Sequence, residues 1–211
     1  MPVLDYHAMT LADSSALSQY YMPTAILPAD VIRVLNRARI PFVLVGAHGV
    51  FGWMQEGRTT KDVDVVVAAR YHKKAVRVLL EEFPHLEEVE SEVVSRLKNR
   101  DTQQVAVDVM KPRELYRAAF KNTHEVHTGR LSYRVPSLEM ALAMKFAPMI
   151  SPNRDDAKKL IDAHDFIMIV RVNQEIDLET LSELGDLVYP GGGKELLDLV
   201  SRVRAGETLI L

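Results

Sequence analysis

Two stretches decide how this chain is read: Pro41-Phe42-Val43-Leu44-Val45-Gly46-Ala47, and then Arg58-Thr59-Thr60-Lys61-Asp62-Val63-Asp64-Val65-Val66-Val67. The first is a short continuous apolar run closed by glycine, the profile of a buried strand. Glycine at its end lets the backbone come close to a ligand, and the N-terminus of a following helix favours anions. The second stretch is rich in valine, which suits a pleated sheet. Side chains alternate along a strand, so Asp62 and Asp64 fall on one side of it.

A half-buried strand carries aspartate at a cost, because an unpaired carboxylate loses its water. A third aspartate sits in the same kind of setting further on. From Val93 to Met110 the pattern is two strands around the polar turn Asn99-Arg100-Asp101-Thr102. In the second of them Val105, Val107 and Val109 share one face, while Ala106 and Asp108 share the other. Three aspartates on two strands can converge on hard cations, which prefer oxygen ligands. The simpler reading of Asp62 and Asp64 is that they cap or start a strand. A metal-dependent glycosyltransferase also uses an Asp-x-Asp pair, but the glycine turn and the third aspartate argue against it.

Around these strands the chain alternates helix and strand. The first 25 or so residues show weak periodicity and suggest an arm or short helix. Pro28 opens a helix with Val31, Ile32, Leu35 and Ala38 at helical spacing. Ala47 to Gln55 is apolar enough for a packed helix, with Gly57 as its C-terminal cap. Tyr71 to Phe83 forms another helix, with Ala75, Val78 and Leu79 inward. Pro112 opens a helix running to Lys121, since proline suits a first turn. Leu131 to Val135 is a short strand, and everything from Ser137 is helical. The expected organisation is a mixed α/β half, residues 1–136, and a helical half, residues 137–211.

The glycine-closed strand followed by Arg58-x-Thr60-x-Asp62-Val63-Asp64 resembles the signature of the nucleotidyltransferase superfamily. The variant is similar to the abortive-infection (type IV toxin) nucleotidyltransferases and their uncharacterised bacterial relatives. The resemblance implies an α+β, polymerase β-like nucleotidyltransferase fold: a small mixed sheet flanked by helices, with a helical C-terminal half completing the site. It implies that Asp62, Asp64 and Asp108 are the catalytic and metal-binding residues, holding two Mg²⁺ or Mn²⁺ ions. It places Gly46, Ala47, Arg58, Thr60, Lys145 and Lys158 around the nucleotide. Ala47 stands where relatives carry Gly or Ser, so it offers a backbone amide and no hydroxyl. The implied activity is transfer of a nucleoside monophosphate from an NTP to a hydroxyl on tRNA or protein. A toxin role beside an antitoxin partner follows from the same analogy. A non-catalytic nucleotide- or partner-binding module on the same fold is the alternative.

In the helical half, Ser137 is the N-cap candidate of a nearly uncharged helix. Lys145 shares a stripe with Leu138, Leu142 and Met149, so it either snorkels at the core edge or reaches a phosphate. On the next helix Lys158, Asp162 and Asp165 share a face, expected to be solvated and salt-bridged, separate from Leu160, Ala163, Ile167 and Val170. Gly191-Gly192-Gly193-Lys194 lacks the spacing and the hydroxyl residue of a phosphate loop and suits a helix entry. His124-Glu125-Val126-His127 is no helical zinc motif. His48 and Trp53 are expected to be packed in the core.

Composition bounds the rest. The 211 residues are 47% hydrophobic and 26% charged, an ordinary globular balance. Net charge is −3, which carries no global nucleic-acid signature, although a local basic groove stays open. With no cysteine there is no thiolate catalysis, disulfide or Cys-based zinc site. The start lacks a signal-peptide pattern and no apolar run approaches ~18 residues. The expectation is a cytoplasmic protein that does not enter membranes.

Overall fold

The computed structural model describes residues 26–55, 58 and 60–209; the expected N-terminal arm and the Gly57 cap lie outside them. Helix α1, Pro28–Arg37, starts on proline and buries Val31, Ile32 and Leu35. Strand β1, Phe42–Val45, is buried along its whole length. It runs directly into α2, Gly46–Met54, whose last turn closes on Gln55 in the left-handed conformation. Strand β2 is Val63–Val67, and a 3₁₀ turn at Ala69–Tyr71 leads into α3, His72–Glu82. Then come β3 (Leu86–Glu90), β4 (Val94–Asn99) and β5 (Val105–Met110). Helix α4, Glu114–Ala118, precedes the hairpin β6 (Thr123–Thr128) and β7 (Leu131–Pro136). Four helices follow: α5 (Leu138–Ile150), α6 (Asp156–Val172), α7 (Leu178–Asp186) and α8 (Gly192–Arg204).

The main sheet has the order β1-β2-β5-β4-β3. Only β2 and β5 pair in parallel; every other neighbour is antiparallel. This is the small mixed sheet flanked by helices that the motif implied. On β5 the alternation holds: Val107 and Val109 are fully buried while Ala106 and Asp108 are half-buried. Helix α3 packs on the β3–β5 side, and α2 bridges β1 and β2 to α5 and α6. One continuous core runs from Ile32, Leu44 and Val66 to Phe146, Phe166 and Leu196. Trp53 sits in it, its indole N–H donating to the Pro136 carbonyl at 2.9 Å. No described helix is long and apolar enough to cross a membrane.

Two local expectations are corrected. The edge strand β3 was not anticipated, because Leu-Glu-Glu-Val-Glu buries only Leu86. It is held by pairing with β4, and its charges suit an edge. The helix expected from Pro112 to Lys121 is one short segment. Asn122 ends it, since both its backbone N–H and its side-chain amide donate to the Ala118 carbonyl.

The triple glycine is a packing device. Gly191, at φ 92°, enters α8, and a Cβ on Gly193 would lie 2.3 Å from the Ser182 carbonyl oxygen of α7. The Asp186 carboxylate accepts the Gly191 and Gly193 amides at 3.2 and 3.0 Å, so these donors are already engaged. Gly193→Ala is therefore expected to cost about 1–3 kcal/mol by overpacking. A thermal melt checks this, while Lys194→Ala is expected to leave the melting temperature unchanged.

Candidate metal and nucleotide site

The register of β2 builds the site. Val45 lies opposite Asp64 across β1, and Asp108 lies opposite Asp64 across β5. Asp64 is thus flanked by the end of β1 and by the third aspartate. One carboxylate oxygen from each of Asp62, Asp64 and Asp108 lies within 4.8 Å of the other two. Thr60 Oγ1 donates to Asp62 Oδ1 at 2.8 Å and steadies the first carboxylate.

Gly46 is required here twice over. Its φ is +61°, and a Cβ built on it would stand 2.0 Å from Asp64 Oδ2. Ala47 follows, buried, in the first turn of α2. Among the described residues no side chain caps this helix, whose N-terminus points its peptide dipoles where an anion is favoured.

The charge balance of the cluster is unfavourable by itself. Burial, then the charges of Asp62 and Asp108, push the Asp64 carboxyl up to about 8, against Lys145 and Arg154. Burial likewise lifts Asp108 to about 6; Arg96 opposes this and Asp62 adds to it. Among the described residues Asp108 Oδ1 is buried with no hydrogen-bond partner, and Oδ2 is 3.9 Å from Arg96 Nε. Carboxylate oxygens crowded together, one of them orphaned, are the donor set that suits a hard divalent cation.

Beside the aspartates lies a buried ion-pair network that differs from the sequence expectation. Asp162 and Asp165 were expected on a solvated face, with Leu160 packed inward. Instead Asp162 and Asp165 are 4% and 0% exposed and Leu160 is 64% exposed. The carboxylates follow their counter-ions. Lys145, 5% exposed, places Nζ 2.7 Å from Asp165 and 3.1 Å from Asp162. Arg154 holds the other Asp162 oxygen at 2.8 Å. Arg58 grips Asp165 with both Nε and Nη2 at 3.1 Å. Burial works to raise Asp165, but Arg58 and Lys145 outweigh it and hold the carboxyl below its ordinary value.

Of the residues singled out in the sequence, Asp62, Asp64, Asp108, Gly46 and Thr60 meet directly. Arg58 and Lys145 meet each other's partner, Asp165, at the back of the site. Lys158 is exposed on α6, and its charge acts on Asp108. His48 is buried, edge-on to Phe51; burial pushes it down to about 4, with Arg58 adding and Asp62 opposing. Tyr116 went unnoticed in the sequence; burial and the Asp64 charge push its phenol up to about 12. Asp165 was missed as an anchor. Its signal was Lys145, a lysine on an apolar stripe that needs a carboxylate if it is buried.

No family model matches the chain, and no curated protein matches it. Solved structures do. An antigenic nucleotidyltransferase-like protein from Paracoccidioides brasiliensis superposes with a TM-score of 0.50 at 19% identity, covering 97% of this chain and 96% of that one. The antibiotic-resistance factor ANT(2'')-Ia gives a TM-score of 0.52 at 11% identity, covering 84% of this chain and 94% of that one. Likeness at this identity is one of fold, and the fold is that of the nucleotidyltransferases.

The raised Asp64 carboxyl has a thermodynamic consequence. Its folded-state value lies above the unfolded one, so its contribution to stability is present below about pH 4 and is lost as pH rises toward about 8. Metal-free protein is expected to melt lower at pH 8 than at pH 6, and Asp64→Asn to melt higher than wild type at pH 8. Each kcal/mol relieved is worth roughly 2–4 °C. Mg²⁺ raises the wild-type melting temperature, more at pH 8 than at pH 6, and leaves Asp64→Asn unmoved. Melts with and without Mg²⁺ at both pH values check all three.

Proposed function

We propose that this chain, built on the nucleotidyltransferase fold, is a metal-dependent enzyme that moves a nucleoside monophosphate from an NTP to a hydroxyl acceptor. One observation carries the reading: the carboxylates of Asp62, just before β2, Asp64 on β2 and Asp108 on β5 crowd together, one buried oxygen of Asp108 has no hydrogen-bond partner among the described residues, and the start of α2 stands beside them. The name of one similar structure, a nucleotidyltransferase-like protein, agrees with this class.

Asp62 and Asp64 would hold both divalent ions, Mg²⁺ or Mn²⁺, and Asp108 would hold the one nearer the acceptor. Such ions neutralise phosphate charge and polarise the attacking hydroxyl. The Gly46 and Ala47 amides at the start of α2 receive the triphosphate. Thr60 keeps Asp62 in its rotamer, and Arg58 ties the segment before β2 to α6. The acceptor hydroxyl oxygen forms a bond to the α-phosphorus and its proton passes to Asp108. The bond from the α-phosphorus to its bridging oxygen breaks, and pyrophosphate leaves. Positioning and charge neutralisation supply most of the acceleration.

Resemblance to the abortive-infection toxins makes tRNA or a protein hydroxyl the acceptor and an antitoxin the partner. The second reading, a nucleotide- or partner-binding module without turnover, draws on a specific feature. Lys145, expected to pair with phosphate, is held by two aspartates instead.

Incubation with Mg²⁺ and each α-labelled NTP, with total tRNA and cell lysate as acceptors, separates the two. The enzyme reading predicts label transfer by wild type and at least about a hundredfold less by Asp62→Ala/Asp64→Ala, the scale on which losing charge stabilisation slows such sites. Saturable Mg–NTP binding with no transfer to any acceptor would favour the binding module.

A further inference from the structure

Helix α2 begins beside the aspartates, and its front end has little to aim it. Gly46, at φ +61°, is the joint between β1 and the helix. A residue without a side chain tolerates many backbone angles, so the joint alone leaves the helix direction open. One turn on, Gly49 lies so close to β1 that a Cβ on it would meet the Leu44 carbonyl oxygen at 2.5 Å. Backbone rests on backbone there, with no side chain from Gly49 to fix how far along the strand the helix sits. Val50, Phe51 and Met54 are buried and hold the helix in the core, but apolar burial is non-directional.

Directional contacts lie at the other end. The Trp53 indole N–H donates to the Pro136 carbonyl, at the end of β7, at 2.9 Å. The Trp53 carbonyl belongs to the last turn of α2, where no helical N–H follows to meet it. Asn173, directly after α6, meets it instead. Its side-chain amide donates to the Trp53 carbonyl at 2.8 Å and to the Ile169 carbonyl at 2.7 Å, so both amide hydrogens are used. Trp53 and Asn173 are 8% and 6% exposed, which keeps water from competing for these bonds. One residue at the rear of α2 is thus tied to β7 and to α6 at once. The aspartates are set separately, by the pairing of β2 with β5.

We infer that Asn173 and Trp53 are positioning residues for the nucleotide: by pinning the rear of α2 they aim the Gly46 and Ala47 amides at the triphosphate. The inference rests on the nucleotidyltransferase reading and extends it to a pair of residues outside the site. Trp53 is roughly 10 Å along the helix from Gly46, at 1.5 Å per residue. An amide donor weakens steeply as its hydrogen-bond angle falls, so a tilt or slide at the rear is felt at the phosphate. Metal binding by the three carboxylates does not pass through these pins.

Calorimetric titration with Mg–NTP, and a Mn²⁺ titration without nucleotide, test the pins well below the melting temperature. Trp53→Phe keeps an aromatic ring and removes the indole donor, and Asn173→Leu keeps the volume and removes the amide. Each is expected to weaken Mg–NTP binding about tenfold, within the scale on which small misplacements far from the reacting atoms are felt. Each is expected to leave Mn²⁺ affinity as in wild type. Val203→Ala, a buried truncation on α8, leaves both pins in place; it lowers the melting temperature and changes neither affinity. Wild-type Mg–NTP affinity in either pin variant would overturn the role of that residue and leave the nucleotidyltransferase reading intact. An equal loss in Val203→Ala, or a parallel loss of Mn²⁺ affinity in the pin variants, would overturn the inference as well, since lost stability would then explain it. A wild type that holds Mn²⁺ but binds no Mg–NTP would instead remove the nucleotidyltransferase reading, and the positioning role with it.

Discussion

Strand β2 is hydrogen-bonded on one side to β1 and on the other, in parallel, to β5, and the position of every functional group follows from that register. It sets Asp64 beside Asp108 and against the end of β1, where only a residue without a Cβ fits. Val63, Val65, Val66, Val67, Val107 and Val109 are all at most 1% exposed, so neither strand can shift to relieve the crowding of the carboxylates. A rigid apolar frame thus holds like charges together at a separation they would not choose. Such a frame costs stability, and a divalent cation held among the three carboxylates would give it back.

The second layer protects this frame. Arg58 lies shortly before Asp62 in the chain, and its two-pronged grip on Asp165 ties that segment to α6. Lys145 on α5 joins the same carboxylate, so the two helices and the segment before β2 share one buried set of charges. Removing one member of a buried pair usually costs about 3–5 kcal/mol, because its partner is left charged and dry. Loss of Asp165 would therefore strand Arg58 and leave Lys145 with Asp162 alone. On the other side of Asp108 lies Arg96, 3.9 Å from its carboxylate and half exposed.

Much of this was legible in the sequence where local pattern and chemistry agree. Valine-rich strands, the glycine after Val45, the period-two spacing of Asp62 and Asp64, and the alternation around Asp108 each carry their own signal. What was not legible depends on partners far apart in the chain. The face of α6 was misassigned because helical periodicity counts apolar residues, and here Asp162 and Asp165 turn inward to meet Lys145 and Arg58 while Leu160 turns out. Strand β3 escaped notice because an edge strand is stabilised by its neighbour's hydrogen bonds and needs no apolar stripe. Arg96 carries no local signal, and only the β4–β5 register sets it beside Asp108.

The claim on which all else depends is that Asp62, Asp64 and Asp108 together hold divalent metal, and a Mn²⁺ titration followed by electron paramagnetic resonance tests it most directly. Free Mn²⁺ gives a sharp signal that is lost on binding, so stoichiometry and affinity are read without any assumption about substrate. The account predicts saturable binding by wild type, tightened by an NTP. Binding should be weakened at least tenfold by Asp108→Asn and abolished by Asp62→Asn/Asp64→Asn. Binding that is absent from wild type, or that is unchanged in the asparagine variants, would contradict it.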